Sequence, residues 1–265
     1  MNIIENLQEK YIAYLDVLGF KELVDGSNVL KLEVYFQTVK DTLQLLRNGK
    51  KEIDSLLISD SIILIAQPTR EDFKILIRAV QTIQAKLAQK DIWMRGAISF
   101  GEVYFDKESN LIVGKGLVKA YLLESEEIYP RVIIDTSIIL RIASDRRLFF
   151  NFINPNPDNF NDKLKLVHNY FQFIEDDSFF IAYAHRILLD SIKKRNIHLI
   201  YKKIKKNLYS DSKHFKKFLW VKNYFSGVLL ELSNNWEITF NNSINNKELI
   251  NQQYIKRWWH KFNEL

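Results

Sequence analysis

Along the first half of the chain, apolar residues recur at two different periods, and the alternation between them lays out a succession of elements. Residues 10–17 (KYIAYLDV) are dense in strand formers and run into the turn-forming Leu18-Gly19, which predicts a strand. Leu32, Phe36, Val39, Leu43 and Leu46 return at helical spacing. Two short apolar runs, residues 56–58 and 62–66, flank Ser59-Asp60-Ser61 and read as a hairpin. Phe73, Leu76, Val80, Ile83 and Leu87 predict a second long helix. Residues 93–105 predict a long strand with a bulge expected near Gly96. A short strand at residues 111–113, a Gly114-Lys115-Gly116 turn, a helix over 117–126 and a strand over 131–134 complete the half. The order β-α-α-β-β-α-β-β-α-β suits an α+β fold, an antiparallel-containing sheet with helices packed on one face.

The second half has a different character. Seven of the eight glycines lie at or before Gly116, whereas four of the five tryptophans lie at or after Trp220. The first part therefore reads as a turn-rich α/β unit and the second as a mostly helical appendage. The segment Asn154-Pro155-Asn156-Pro157 marks the expected linker, because Asn-Pro pairs favour turns and stop helices. The division expected is residues 1–150 and 151–265, the latter mainly α-helical.

Composition narrows the classes of function. With 265 residues and 47% hydrophobic positions, the chain has enough apolar material for a well-buried core. The absence of cysteine excludes disulfide scaffolds, thiolate metal sites and cysteine nucleophiles. The first ten residues, MNIIENLQEK, lack the apolar stretch of a signal peptide, and no uncharged apolar run approaches about 18 residues. A soluble, cytoplasmic protein without a transmembrane segment is expected. The net charge of +6 is concentrated: residues 191–222 carry eleven Lys/Arg against one acid, Asp211, and the remainder is mildly acidic. Ile197, Ile200, Ile204 and Leu208 in that tract are helically spaced among Lys202, Lys203, Lys205 and Lys206. An amphipathic helix with a solvated basic face is the plain reading. Contact with a nucleic acid, an anionic membrane or an acidic partner is the alternative, and Tyr201, Tyr209, Phe215 and Trp220 either stack bases or pack the appendage's core.

Familiar catalytic constellations are missing. Gly114-Lys115-Gly116 lacks the spacing of a nucleotide P-loop, and no Gly-x-Ser-x-Gly elbow occurs. His168, His185, His198, His214 and His260 show no metal-ligand spacing, and Glu175-Asp176-Asp177 reads as a solvated turn. Two carboxylates stand out instead. Asp16 ends a very apolar strand, and Asp60 occupies the tight turn of the next hairpin, so neighbouring strands would bring both to one sheet edge. Converging acids repel unless a cation neutralises them, and hard oxygen ligands suit Mg²⁺ or Mn²⁺. Alternatively Asp16 caps the following helix and Asp60 closes an Asx turn. The backbone N–H groups of Leu18-Gly19-Phe20, ahead of a short helix, would face a phosphate.

Four segments, YIAYLDVLGF, LLISDSIILIA, WMRGAISFGEVYF and LIVGKGLVKAYLLE, lie in the order and spacing of class III nucleotidyl cyclase catalytic domains. With the Ser-Asp-Ser turn, the Arg-Gly-Ala-Ile-Ser strand, and Glu124 followed by Tyr129-Pro130-Arg131, the chain most resembles the bacterial pyrimidine cyclases of Pycsar antiphage systems. The resemblance covers residues 10–140. Glu175-Asp176-Asp177 and residues 217–220 also look family-like, less specifically. It implies a ferredoxin-like, class III cyclase-type sheet in residues 1–150 and conversion of UTP or CTP to a 3′,5′-cyclic nucleotide and pyrophosphate. The product would be a messenger in antiphage defence that activates a separate effector. Two Mn²⁺ or Mg²⁺ ions per site would be held by Asp16, Asp60 and the carbonyl of Val17, and Leu18, Gly19 and Phe20 would cradle the triphosphate. The resemblance further implies a homodimer with sites between two subunits.

The departures from purine cyclases bear on substrate. The helix positions that carry Asn and Arg in those enzymes are Val118 and Leu122 here, and the purine-selecting pair falls on Leu56 and Leu111. A pyrimidine substrate is compatible with that; so is an inactive site serving as a nucleotide sensor, while a conventional adenylyl or guanylyl cyclase is disfavoured. Arg95 is the expected partner of the α-phosphate, with a structural salt bridge as the alternative. Lys115 and Lys119 would reach in from a second subunit, or stand as solvated surface bases.

Overall fold

Strand β1 (Gln8–Val17) is the axis about which the sheet is built. In this computed structural model residues 4–25, 29–47, 53–154, 165–169, 179–234 and 246–265 are described. On one side β1 pairs antiparallel with β3 (Ser61–Ala66), itself the second arm of a hairpin with β2 (Asp54–Ile58). On the other side it pairs antiparallel with β4 (Met94–Asp106) in ten consecutive pairs, from Gln8↔Val103 to Val17↔Met94. That register never slips, so the bulge expected at Gly96 is absent. Gly96 has a different purpose: a Cβ there would overlap the carbonyl oxygen of Tyr14 on the neighbouring strand.

Side chains of β1 alternate between two faces. Tyr11, Ala13, Leu15 and Val17 enter the main core with Phe73, Leu76, Val80, Ile83 and Leu87 of α3 (Arg70–Ala88). Beside α3 lies α2 (Val29–Arg47), which follows the short α1 (Phe20–Asp25) and buries Tyr35 and Val39. Phe36, expected inward, is 38% exposed, because the buried face runs through Tyr35 one position earlier. The opposite sheet face is not bare, contrary to a one-sided design. Ile12, Ile63 and Ile65 pack there with Ala120 of α4 (Lys115–Glu126). This helix starts two residues earlier than the periodicity suggests and sits close to the strands, since a Cβ on Gly116 would run into Ile12. The Ser99 hydroxyl donates to the Gly116 carbonyl at 2.6 Å. The connecting β5 (Leu111–Val113) pairs with the far end of β4.

Beyond α4, β6 (Val132–Ile134) joins β4 in parallel, and α5 (Ser137–Ile142) and α6 (Arg146–Ile153) follow. Residue 150 lies inside α6. Two short strands of the second half, β7 (Val167–Asn169) and β8 (Phe179–Ile181), extend the sheet to the order β2-β3-β1-β4-β6-β8-β7 among the described residues. The side chain of Asn154 binds the backbone of Leu166 and Val167, whereas residues 155–157 and Glu175-Asp176-Asp177 fall outside the described residues. Four helices complete the chain: α7 (Tyr183–Lys193), α8 (Ile197–Leu208), α9 (Ser212–Asn234) and α10 (Asn246–Asn263). Their core also takes in Ala85, Ala88 and Trp93 from the first half. The α+β expectation holds, with a mainly helical second half. On α8, Ile197, Ile200, Ile204 and Leu208 face inward, and Lys202, Lys205 and Lys206 are exposed. No helix among the described residues is long and apolar enough to cross a membrane.

Gly96→Ala should force β1 and β4 apart and destabilise the protein by more than about 2 kcal/mol, measured by urea unfolding. Unchanged stability would contradict the close approach.

Candidate active site at the carboxyl end of β1

The β1–β4 register sets Asp16 directly across from Arg95, and the β1–β3 register sets it across from Ser61, the residue after Asp60. All three belong to the corner of the sheet where β1 ends and the β2–β3 hairpin turns. The turn is tight because Ser59 adopts a positive φ of 57°, and the Tyr35 hydroxyl donates to the carbonyls of Ser59 and Asp60. Leu18 continues the ladder, its N–H donating to the Trp93 carbonyl at 2.9 Å. Bonding alternates along antiparallel strands, so the Val17 carbonyl turns the other way, toward the hairpin.

Arg95 is the hub of this corner. Its Nε lies 2.6 Å from Glu124 Oε1 and 3.6 Å from Asp16 Oδ2, and its Nη1 donates to the Glu127 carbonyl at 2.8 Å. Burial pushes the Asp16 carboxyl up to about 6, helped by the charges of Glu124 and Asp60 and opposed by Arg95. Burial raises Glu124 as well, with Arg95 opposing and Asp60 adding to the rise. The same charges are felt by two phenols. Tyr14, bonded to Ser61 at 2.8 Å, and Tyr35 are raised first by burial and then by Asp16 and Asp60, with Glu124 also acting on Tyr14. Two carboxylates thus share one guanidinium while the charge of Asp60 acts on both, a local excess of negative charge that a divalent cation would neutralise. The chemistry of the donors, two carboxylates and a carbonyl, suits a hard cation such as Mg²⁺ or Mn²⁺. Among the described residues no three His, Asp or Glu side chains gather as a metal-binding group, so further ligands would come from substrate or water.

Other residues singled out in the sequence are dispersed. The Leu18 N–H is taken by Trp93, which removes it from a phosphate cradle and leaves Gly19, at φ 73°, and Phe20. Leu56 is buried against Ile63 and Ile65, while Leu111 stands opposite Asp106, on the order of 30 Å along β4 from Arg95. Lys115, its side chain 88% exposed, pairs with Glu102 at 3.3 Å. Lys119 pairs with Asp135 and donates to Ser137 at 3.1 Å. Within one chain neither lysine is paired with a group of the Asp16 corner. Val118 and Leu122 lie on the outer face of α4, each 54% exposed, with Tyr121 between them. His185 is buried and accepts from the Lys165 N–H, and burial lowers it to about 3, so it stays neutral. Trp220 and Tyr201 pack within the helical core.

Glu124 was not singled out as a site residue. Its signal is the buried face of α4, where Gly116, Ala120 and Glu124 recur every four residues. A carboxylate continuing a row of small, close-packed residues needs a partner, and Arg95 is that partner.

No protein-family model and no curated protein matches the chain. Among solved structures it is similar to the guanylyl cyclase Cya2, with TM-score 0.44 and 16% identity, covering 66% of this chain and 91% of that one. It is also similar to the adenylyl cyclase CyaB from P. aeruginosa, with TM-score 0.42 and 14% identity, covering 66% and 95%. The guanylate cyclase domain of RhGC from Catenaria anguillulae in complex with GTP gives TM-score 0.39 and 12% identity, covering 51% and 82%.

The raised Asp16 value has a consequence for stability. Its protonated form is favoured in the folded protein, so its contribution is fully present below pH about 4 and is lost as pH rises through about 6. In chelating buffer, Asp16→Asn should match the parent near pH 4 and exceed it at pH 8 by up to about 3 kcal/mol in urea unfolding. A difference that does not grow with pH would rule out this balance of charges.

Proposed function

We propose that the chain is a nucleotidyl cyclase that converts UTP or CTP to the 3′,5′-cyclic nucleotide and pyrophosphate. The observation that supports this reading best is that Arg95 bridges Asp16 and Glu124 while the charge of Asp60 acts on both carboxylates, beside the Val17 carbonyl. Asp16, Asp60 and that carbonyl would hold Mg²⁺ or Mn²⁺, two ions per site. Bound there, the cations supply activation of the ribose 3′-hydroxyl and neutralisation of the leaving pyrophosphate. The 3′-oxygen forms a bond to the α-phosphorus as the bridging bond to the β-phosphate breaks. Pyrophosphate leaves with the electron pair, and the hydroxyl proton passes to water. Arg95, fixed by Glu124 and the Glu127 carbonyl, would place positive charge near the α-phosphate. The N–H groups of Gly19 and Phe20 would meet the terminal phosphates.

A pyrimidine is proposed over a purine because the positions that carry the purine-selecting pair in purine cyclases are leucines here. Leu56 is buried in the apolar layer and Leu111 lies far along β4, so no purine-selecting side chain stands at either. The product would serve as a messenger for a separate effector in antiphage defence. We further propose a homodimer: Val118, Tyr121 and Leu122 form an exposed apolar stripe on α4 that a second copy would cover. Lys115 and Lys119 on the same helix would then approach the partner's site. A second reading, a nucleotide-binding module without turnover, is favoured by two observations. Val118 and Leu122 are apolar and exposed where purine cyclases carry Asn and Arg, and Arg95 is already engaged by Glu124.

Incubation of the purified chain with all four nucleoside triphosphates and Mn²⁺, followed by mass spectrometry, separates these readings. A cyclic pyrimidine is expected, with Asp16→Ala and Asp60→Ala each reducing it to less than about one per cent. In sedimentation velocity the parent should run as a dimer and Leu122→Glu as an inactive monomer. A cyclic purine would contradict the substrate, and no product from a folded dimer would favour the silent module.

A further inference from the structure

The surroundings of Arg95 and Leu18 include the helices of the second half. Trp220 of α9 is 5% exposed and stacks on Tyr129, with ring centroids 5.6 Å apart and planes at 21°. The Arg131 guanidinium lies against both rings, 5.9 Å from the Trp220 centroid and 5.5 Å from that of Tyr129. Arg131 in turn donates through Nε to Glu127 Oε2 at 2.7 Å, a pair that is almost wholly buried. The other Glu127 oxygen accepts the Tyr129 N–H at 2.9 Å, which closes a compact loop of residues 127–131. Two backbone bonds carry this loop to the candidate site: the Glu127 carbonyl accepts from Arg95 Nη1, and the Arg131 carbonyl accepts from the Gly96 N–H at 3.0 Å. A second line runs beside it. Phe218, also on α9, meets Trp93 edge-on at 5.3 Å, and the Trp93 carbonyl holds the Leu18 N–H just past Asp16. Leu18 itself packs against this aromatic cluster.

From this arrangement we propose that α9 sets the position of Arg95 and of the turn after Asp16, with Trp220 as the positioning residue. This guanidinium has several donors and two competing carboxylates, Asp16 and Glu124, so its orientation depends on what fixes its far side. Here that is the Glu127 carbonyl, whose loop is held by a buried ion pair lying against the Trp220 ring. Removing the ring takes away one wall of the loop and part of the packing on the buried pair, and Arg95 then reorients between Asp16 and Glu124. The second half of the chain is thereby a part of the site's geometry. The placement of Arg95 stands on contacts alone; its consequence for turnover rests on the cyclase reading above.

The test uses the full chain without added metal or nucleotide and follows the Arg95 Nε–Hε signal by NMR, identified by its loss in Arg95→Lys. Trp220→Leu should speed exchange of that proton by roughly tenfold or more. Val228→Ala, in the same core but away from residues 127–131, serves as the control matched for loss of stability and should leave the exchange within about twofold. Trp220→Phe should restore the parent's behaviour. Where nucleotide is turned over, Trp220→Leu should lower kcat with little change in KM. Should Trp220→Leu not fold, Tyr129→Leu removes the same stack from its half-buried side and must give the same result. Equal exchange in the Trp220 or Tyr129 variant and in Val228→Ala would overturn the proposal and leave α9 a purely structural support. A shifted Arg95 signal in a protein that cyclises nothing would uphold the positioning role and refute only the reaction.

Discussion

The ten-pair ladder between β1 and β4 is the constraint on which the remaining geometry depends. Because it runs without a slipped residue, one register decides that Asp16 faces Arg95 and that Leu18 bonds to Trp93. A shift of one residue would send Asp16 to the α3 face, into a layer of Tyr11, Ala13, Leu15 and Val17 that has no place for charge. The register is held from both sides. Those four residues fill the main core, while Ile12 and Tyr14 pack beneath α4, and Gly96 permits the strands to approach.

On that frame the corner at the end of β1 is electrostatically unbalanced. Asp16, Asp60 and Glu124 act on one another, and Arg95 offsets only part of their charge. A partly buried group of this kind costs stability unless something positive joins it, so it is a poor choice for holding a fold together. Its position at the end of β1, with a backbone carbonyl turned toward it and a glycine turn beside it, is the ground on which a cation and a phosphate chain are proposed as its occupants. Arg95 forms the salt bridge that its sequence context allowed, and its place at a nucleotide's α-phosphate is part of the proposed cyclase reading.

Local patterns made much of this legible. The hairpin was readable because two apolar runs bracket a three-residue polar turn, and α3 because its five periodic residues are all buried. The pairing of Asp16 with Arg95 was less accessible, since register between distant strands follows from packing on both faces at once. The second cover of the sheet was missed because α4 shows apolar residues outward, Val118, Tyr121 and Leu122, and buries Gly116, Ala120 and Glu124. Size and closeness, rather than hydrophobicity, choose its inner face. Strands β7 and β8 are three residues each and exist only because β8 pairs with β6 and β7 with β8, so no periodicity announces them. The contact of Trp220 with Tyr129 joins segments with no local relation in sequence.

The central claim is that Asp16 and Asp60 together hold divalent cations beside a bound pyrimidine triphosphate. It is tested most directly by an electron paramagnetic resonance titration of Mn²⁺ with the α,β-methylene analogue of UTP present. The account predicts about two tightly bound Mn²⁺ per chain in the parent, with tight binding lost in the Asp16→Asn/Asp60→Asn double variant. Equal Mn²⁺ binding by the parent and the folded double variant would contradict it.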